Sequence, residues 1–278
     1  METGVIEFLS YGFIQRALLA GSFIALICAL LGVILVLRRL SLIGDGLSHV
    51  TFGGVALGLF LNVYPLYMSL PVVICSSLGI LRLADKARMY GDAAIGIVSS
   101  IGIAAGVMLA SLGGGFNVDL FSYLFGNILS ISGFEVASSI GLSILVMAVI
   151  ALYFDEILSI TFDEEFARAS GINTGKINAI LVMLTGITVV LTMKVVGIML
   201  TSALLILPAS TALQLARGFR NAMVISAVTS VTSVVAGIFI SFLMNLPTGA
   251  TIVLMNAGFF LAAFIYKQRV RNPSPPAK

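Results

Sequence analysis

Apolar residues run along the chain in stretches of about 20, the length of an α-helix that crosses a bilayer. Charged residues, glycines and prolines interrupt these stretches from one end of the chain to the other. The pattern therefore predicts an all-α protein, a polytopic integral membrane helical bundle with eight or nine transmembrane helices. The nine candidate helices lie at 12–37, 43–63, 65–84, 91–112, 132–154, 171–193, 195–216, 221–243 and 248–266.

The segment 116–131, FNVDLFSYLFGNILSI, differs from the predicted spans. It is apolar but short, and it carries Asp119 and Asn127, so it suits an interfacial or re-entrant helix better than a span. No polar stretch between the spans is long enough to form a core of its own. We therefore predict one transmembrane domain over residues 1–266 and a disordered, Pro-rich cytoplasmic tail over residues 267–278.

Composition agrees with a membrane protein and excludes an ordinary soluble domain. The chain is 59% hydrophobic and 10% charged, with a mean hydropathy of +1.14. A net charge of +3 in such a chain does not imply nucleic-acid binding. The first residues, METGVIEFLS, carry Glu2 and Glu7 where a signal peptide carries positive charge, so the first span is expected to stay in the mature protein.

The distribution of basic residues predicts the orientation. If residues 38–41 lie in the cytoplasm, the connections on that side hold all of the 15 basic residues except Arg16 and Lys194. Cytoplasmic loops of membrane proteins are rich in lysine and arginine. We therefore predict a multi-pass membrane protein with its N-terminus outside and its C-terminus in the cytoplasm.

The second span begins with RRLSLIGDGLSHV, which holds an aspartate and the chain's only histidine four positions apart. On a helix this spacing places Asp45 and His49 on one face, about 40° apart. Imidazole and carboxylate are good ligands for first-row metal ions, and an ionisable residue within a membrane helix is a functional candidate. The alternative is structural, with Asp45 capping the helix and His49 hydrogen-bonded within the bundle.

Two ligands are too few for a tight metal site. Gly54 and Gly58 fall about 180° and 220° from Asp45, so one face of this helix is expected to pack closely while the other faces a cavity. In a two-fold dimer with the polar face at its axis, two aspartates and two histidines would form a four-ligand shell. The dimer is the hypothesis that completes the site.

The longest charged interruption is FDEEFARASGINTGK, residues 162–176. Its acidic start and Gly171 predict a short amphipathic helix over about 163–171 on the cytoplasmic side. This helix either docks into a cytosolic partner or belongs to a plain solvated loop. Farther along, Pro208 lies within IMLTSALLILPASTALQLA, where it either kinks the helix as a gate or serves local packing.

The motifs of common enzymatic sites are missing from the sequence. The chain has one histidine and no G-x-S-x-G, H-E-x-x-H or G-x-x-x-x-G-K-[ST] motif. We therefore predict a membrane protein that is not an enzyme and binds no nucleotide. A transporter and a non-transporting membrane scaffold both agree with these residues.

Three stretches together resemble the family of ABC-type permeases for zinc and manganese uptake. RRLSLIGDGLSHVTFGGVALG is similar to that family's signature around its second helix, FDEEFARASGI to its coupling helix, and VVGIMLTSALLILPASTALQLA to its late proline-bearing segment. The three occur in the family's order, and the resemblance extends over nearly the whole chain. One departure is Gly46, where relatives often carry alanine.

The resemblance implies a homodimeric permease of the bacterial plasma or inner membrane that receives a metal ion from an extracytoplasmic metal-binding protein and passes it inward. Two cytosolic ABC ATPase subunits would supply the energy, so this chain is expected to bind no cofactor of its own. The family's metal-pathway residues match Asp45 and His49. Its coupling-helix residues, which contact the ATPase, match Glu165, Ala167, Arg168 and Gly171.

We expect the transported ion to be Zn²⁺, with Mn²⁺ or iron as the alternative. VDLFSYLFGNILSIS resembles the zinc-type members somewhat more than the manganese-type ones. Imidazole also suits zinc, whereas Mn²⁺ binds more weakly and favours oxygen ligands. A carrier driven by an ion gradient is the competing transport mechanism, because it would use the same ionisable residues as a proton relay.

Overall fold

The computed structural model describes residues 11–87, 91–115, 118–127, 131–193 and 195–271, and every regular element within these ranges is helical. Among the described residues, nine helical segments are long and apolar enough to cross a membrane when the 3₁₀ helix and α10 are taken as one segment, which confirms the predicted all-α membrane bundle. The elements are α1 (Gly12–Leu37), α2 (Leu42–Phe60), α3 (Pro65–Ala87), α4 (Gly91–Leu112), α5 (Val118–Phe125), α6 (Gly133–Leu152), α7 (Phe154–Phe162), α8 (Glu164–Ala169), α9 (Thr174–Thr192), a 3₁₀ helix (Ile198–Leu200), α10 (Thr201–Leu215), α11 (Phe219–Met244) and α12 (Thr248–Arg271).

Successive long helices run in opposite directions, so their connections collect at two ends of the bundle. We call the end that holds residues 38–41, between α1 and α2, the Arg38 end. The opposite end, which holds residues 61–64 between α2 and α3, is the Tyr64 end. The short helices α7 and α8 lie at the Arg38 end, and α5 lies at the Tyr64 end.

Helices α1 and α2 form the centre of the bundle. Most of α1 is buried, and it packs against α10 and α11. An ideal Cβ at Gly32 would lie 2.0 Å from the carbonyl oxygen of Leu205 in α10, so these helices approach more closely than a larger residue would permit. In α3 and α4, by contrast, fewer than a third of the residues are buried, which leaves much of their apolar surface outside the packed core.

The predicted span 195–216 is not one continuous helix. Gly197 has a φ of +94°, in the left-handed region that favours glycine, and the 3₁₀ helix intervenes before α10 begins. An ideal Cβ at Gly197 would lie 2.5 Å from the carbonyl oxygen of Leu124, so α5 packs directly against this break. With its 8 residues, α5 is too short to cross a bilayer, as expected for 116–131.

The ends of two other predicted segments also differ. The segment 132–154 divides at Tyr153, where α6 has ended and α7 is about to begin. Helix α12 continues to Arg271, which lies within the predicted tail. The remaining tail residues, 272–278, lie outside the described residues, as do Glu2, Glu7 and Lys194.

Candidate functional site

Asp45 and His49 lie in the first two turns of α2, beside the Arg38 end. The distance from His49 Nε2 to Asp45 Oδ2 is 3.6 Å, so the two side chains point the same way. The Asp45 side chain is 51% exposed and the His49 side chain 25% exposed. The predicted shared face is therefore confirmed, and it is open rather than covered by a neighbouring helix of the described chain.

This opening interrupts a helix that is otherwise enclosed. Between Ile43 and Ala56, every residue of α2 except Asp45 and His49 is buried. The buried hydroxyl of Ser48 is satisfied within the helix, because it donates to the carbonyl oxygen one turn earlier at 2.8 Å. The two ionisable side chains thus mark the one open stripe along this part of α2.

Gly54 and Gly58 bring α3 against the side of α2 that lies opposite the open stripe. An ideal Cβ at Gly54 would lie 2.7 Å from Ser69 Cα, and one at Gly58 would lie 2.8 Å from Pro65 Cα. Distances this short mean that only glycine permits the observed approach of the two backbones. The predicted close packing opposite Asp45 is confirmed.

Two further glycines place α4 and α10 on the flanks of the open stripe. An ideal Cβ at Gly46 would lie 2.4 Å from Ile95 Cγ2 of α4, and one at Gly44 would lie 2.6 Å from Leu205 Cδ1 of α10. These positions are about 100° to either side of Asp45 on the helix. Asp45 therefore projects into the gap between α4 and α10.

The contacts of the pair differ from those of a structural cap. Ser41, not Asp45, is the N-cap of α2, and neither the Asp45 nor the His49 side chain forms a hydrogen bond within the described part of the chain. Among the described residues, no cluster of three or more His, Cys, Asp or Glu side chains could hold a metal ion. A metal ion at this stripe would therefore find two side-chain ligands, Asp45 and His49, in the described part of this chain.

The predicted helix over about 163–171 is present as α8. Asp163 caps it, because its carboxylate accepts a hydrogen bond from a backbone N–H three residues later at 2.9 Å. Gly171, with a φ of +89°, ends it, and the Ile172 N–H donates to the Ala167 carbonyl oxygen at 3.0 Å. Caps at both ends define this short element, as its sequence indicates.

The residues matched to a coupling helix lie on different sides of α8. Ala167 is fully buried against the bundle, whereas Glu165 and Arg168 are exposed. The helix therefore rests flat on the bundle with a charged side facing away from it. That geometry suits a docking surface, and contact with an ATPase stays a prediction.

Pro208 is buried within α10, and the helix continues through it. Its missing N–H leaves one carbonyl of the preceding turn without a helical donor. The neighbouring Thr211 hydroxyl donates to the Leu207 carbonyl oxygen at 2.8 Å. Because α10 contacts both α1 and α2, a bend here would reach the centre of the bundle, and a gating role for Pro208 stays a prediction.

Two polar clusters were not predicted from the sequence. At the Arg38 end, Arg38 bonds to Glu164 of α8 and to Asn178 of α9. At the Tyr64 end, the Tyr64 hydroxyl donates to the Glu135 carboxylate of α6. These partners are far apart in the sequence, so no local spacing indicates them. The available signal was Glu135 itself, an acidic residue placed in an apolar span.

Residues 10–267 match the ABC 3 transport family. The chain belongs to this family. It is 31% identical to the manganese transport system membrane protein MntC of Halalkalibacterium halodurans, over 95% of this chain and 90% of that protein. It is 32% identical to the high-affinity zinc uptake system membrane protein ZnuB of Haemophilus influenzae, over 91% of this chain and 97% of that protein.

A solved structure shares the fold of this ABC 3 family chain. PsaBC from Streptococcus pneumoniae in complex with Fab superimposes with a TM-score of 0.87 and 30% sequence identity, covering 98% of this chain and 100% of that chain. The predicted membership of the ABC-type metal permeases is confirmed. The chain is thus a multi-pass transport subunit, not an enzyme, and the ATPase of such importers is a separate partner.

Proposed function

We propose that this chain is the permease subunit of an ATP-driven importer that moves Zn²⁺ into the cytoplasm, and that it acts as a homodimer. The observation that carries the proposal is the Asp45–His49 stripe, the open side of an otherwise buried helix. Ionisable side chains inside a membrane bundle are costly and mark ion pathways. At a two-fold axis, each protomer would supply half of a four-ligand shell.

Zinc suits this ligand set better than manganese does. Two imidazole nitrogens and two carboxylate oxygens are ligands that Zn²⁺ takes in four-coordinate sites, whereas Mn²⁺ favours oxygen. Manganese is the second candidate, because the MntC relative is named for manganese transport. The ZnuB relative is named for zinc uptake, so the names support either ion.

The two ends of the bundle would bind different partners. Two cytosolic ATPase subunits would bind the dimer, one on each protomer. Each would contact the exposed side of α8, where Glu165 and Arg168 face outward. An extracytoplasmic metal-binding protein would deliver the ion at the Tyr64 end. Closure of the ATPases on ATP would press the two α8 helices together and reorient the cavity, which is an alternating-access mechanism.

Replacing the pair tests the assigned pathway. We expect Asp45→Ala and His49→Ala each to abolish ATP-dependent uptake of radioactive zinc into vesicles while membrane insertion stays normal. Asp92→Ala is the matched control, because Asp92 is an exposed acid in the first turn of α4, which runs parallel to α2. Normal zinc uptake in both variants of the pair would refute the assigned role.

The same vesicles decide the ion and the energy source. Zinc uptake should exceed manganese uptake at equal free concentrations, and faster manganese uptake would replace zinc in the proposal. Uptake should also require ATP and the co-purified ATPase subunit, and it should persist when the proton gradient is collapsed. Uptake that needs the gradient and not ATP would identify a secondary carrier instead.

The predicted orientation is open to a direct labelling test. In a chain with Cys28 and Cys75 replaced by serine, a new cysteine is placed either at Asn62 or at Ser170, both of which are exposed. A membrane-impermeant maleimide added to intact cells should label the Asn62→Cys chain and spare the Ser170→Cys chain. The reverse pattern would invert the topology.

A further inference from the structure

Arg38 stands at the turn between α1 and α2 and extends its side chain to two other helices. Its Nη2 donates to Glu164 Oε2 of α8 at 2.8 Å, and its Nη1 donates to Asn178 Oδ1 of α9 at 2.7 Å. Asn178 Nδ2 in turn donates to Glu164 Oε1 at 3.0 Å. Each of the three side chains bonds to the other two, and we call this triangle the Arg38 clasp.

The Arg38 clasp is more enclosed than a surface salt bridge. The Arg38 side chain is 9% exposed and the Glu164 side chain 35% exposed. Burial lowers the pKa of the Arg38 guanidinium, and the neighbouring Glu164 carboxylate opposes this shift. An arginine stays ionised at neutral pH under such conditions. Separating the pair would leave a buried charge without its partner, so a displacement of one member favours displacement of the others.

On its α8 side, the Arg38 clasp holds a small element at its first residue. Glu164 begins α8, and Ala167 is the residue of that helix buried against the bundle. Arg168 approaches Glu164 with its Nη2 at 3.5 Å, but it is itself largely exposed. Arg168 Nε also donates to Thr174 Oγ1 of α9 at 3.3 Å, so Glu164 and Arg168 both link α8 to α9, and Glu164 alone links it to Arg38.

On its other side, the Arg38 clasp reaches the start of the helix that carries the metal pair. The turn after Arg38 is tied to both helices by backbone hydrogen bonds, with the Leu40 N–H donating to the Leu35 carbonyl oxygen of α1 at 2.8 Å and the Ile43 N–H of α2 donating to the Leu40 carbonyl oxygen at 3.1 Å. Arg39 adopts a φ of +58°, which fixes the reversal tightly. A shift of Arg38 therefore moves the start of α2 rather than being absorbed by a flexible loop.

We propose that the Arg38 clasp transmits movement of α8 to the start of α2, and that Arg38, Glu164 and Asn178 are positioning residues for transport. The inference rests on the proposed function, because it takes α8 as the surface on which the ATPase acts. Allosteric coupling needs a physical link between two arrangements of the protein. The Arg38 clasp joins α8 and α9 to the helix of Asp45 and His49 through hydrogen bonds and a closed turn.

The test uses the complete complex, with the permease, its co-purified ATPase and its metal-binding protein in vesicles. Arg38→Met removes the charge and the forked donor, Glu164→Gln removes the charge with little change of shape, and Asn178→Ala removes the third corner. Arg39→Met is the matched control, because Arg39 is exposed in the same turn and its side chain forms no ion pair in the described part of the chain. Zinc uptake, ATP hydrolysis, subunit assembly and zinc binding by the detergent-purified complex are measured for each.

We expect Arg38→Met and Glu164→Gln each to lower zinc uptake per ATP hydrolysed about tenfold, within the range of coupling free energies between two sites. Assembly and zinc binding should match the wild type, since no metal ligand is changed. The double variant, Arg38→Met with Glu164→Gln, should lose no more zinc uptake per ATP than either single variant, because each of the three proteins lacks the same link. Arg39→Met should transport normally.

The outcomes separate this inference from the proposed function. A wild-type complex that shows no ATP-dependent metal uptake contradicts the proposed function. If the wild-type complex transports zinc, and Glu164→Gln and Asn178→Ala each transport as much zinc per ATP hydrolysed as the wild type, the role of the Arg38 clasp is overturned. If Arg38→Met fails to assemble, Glu164→Gln and Asn178→Ala still test the role of the Arg38 clasp. Additive losses of zinc uptake per ATP in the double variant would also contradict a single shared link.

Discussion

At the Arg38 end an ionised guanidinium joins three elements, whereas at the Tyr64 end a phenol bonds to the carboxylate in the first turn of α6. The second group, made of Tyr64, Ser132 and Glu135, we call the Tyr64 cluster. Glu135 is 5% exposed, far less than Glu164 of the Arg38 clasp. Water can therefore replace a lost hydrogen-bond partner of Glu164 more readily than one of Glu135.

The Tyr64 cluster is built around a helix start. Glu135 Oε2 accepts a hydrogen bond from the Ser132 backbone N–H at 2.7 Å, and the Glu135 N–H donates to Ser132 Oγ at 3.2 Å. This reciprocal capping box satisfies donors at the beginning of α6. The Tyr64 hydroxyl donates to the same carboxylate. Because Tyr64 immediately precedes α3, this hydrogen bond links the starts of α3 and α6.

Exposure indicates which cluster can open during a transport cycle. Water can solvate the partly exposed Glu164 carboxylate when the Arg38 clasp separates, so only the Arg38 guanidinium would lose a partner at a buried position. Glu135 is enclosed, and a lost donor there would leave a buried carboxylate under-satisfied. We therefore expect changes in the Arg38 clasp to affect coupling and changes in the Tyr64 cluster to affect stability.

The largest loss of stability is expected from Glu135→Ala. It leaves the Tyr64 hydroxyl and the Ser132 N–H without their acceptor, at a cost of about 2–4 kcal/mol. Because the chain has no tryptophan, thermal unfolding in detergent is followed by dye labelling of buried Cys28 in a Cys75→Ser background. Glu165→Ala, at an exposed acid of α8, is the control and should change stability by less than about 0.5 kcal/mol. Equal melting temperatures for the two variants would remove the contrast between the ends.

A smaller loss is expected from Tyr64→Phe. It deletes one donor to Glu135 but keeps the capping box with Ser132, so the free energy of unfolding should fall by about 1–2 kcal/mol. The same melting assay measures it. Tyr67→Phe is the control because Tyr67 is exposed, and a loss as large from Tyr67→Phe would mean that the Glu135 bond is not responsible.

Much of the fold follows from the sequence, because the bilayer imposes the span length and apolar stretches of that length are visible in the sequence. The faces of the spans are harder to predict. Helices α2 and α4 are both apolar, yet α2 is mostly buried and α4 mostly exposed. Lipid is as apolar as the protein core, so hydrophobicity does not distinguish a packed face from a lipid-facing one.

In the candidate site too, local features follow from the sequence and long-range contacts do not. Asp45 and His49 are four positions apart, so helix geometry alone places them together. Arg38 served in the sequence analysis only to indicate orientation, since its partner Glu164 is 126 positions away. The Arg38 clasp exists because α8 packs beside the turn after α1, and no local pattern in the sequence specifies that placement.

Glu164→Gln should sharpen the contrast by separating stability from transport. Because the glutamine amide oxygen can still accept the hydrogen bond from the buried Arg38 guanidinium, and because water reaches this partly exposed position, we expect Glu164→Gln to lower the free energy of unfolding by only about 1 kcal/mol. Uptake per ATP should nevertheless fall, as argued for the Arg38 clasp. A variant that melts as early as Glu135→Ala would show that the two carboxylates serve the same structural purpose.

The smallest signal is expected from the titration of Tyr64. Burial, followed by the hydrogen bond to Glu135 and its charge, raises the pKa of the Tyr64 phenol above its usual range. In the unfolded chain this phenol would ionise near about pH 10, so raising the pH past that value lets the unfolded state lose a proton that the folded state keeps. Alkaline pH therefore favours unfolding through this residue, and Tyr64→Phe removes that contribution.

Tyrosinate absorbance measures this effect directly. At pH 11 the folded wild type and folded Tyr64→Phe should absorb equally, because Tyr64 keeps its proton in the fold. After denaturation at the same pH, the variant should absorb less by one of the chain's 7 tyrosines. A difference of that size already present in the folded proteins would mean that water reaches the Tyr64 hydroxyl. The Tyr64 cluster would then be as open to solvent as the Arg38 clasp, and the proposed division between a stable end and a moving end would lose its physical basis.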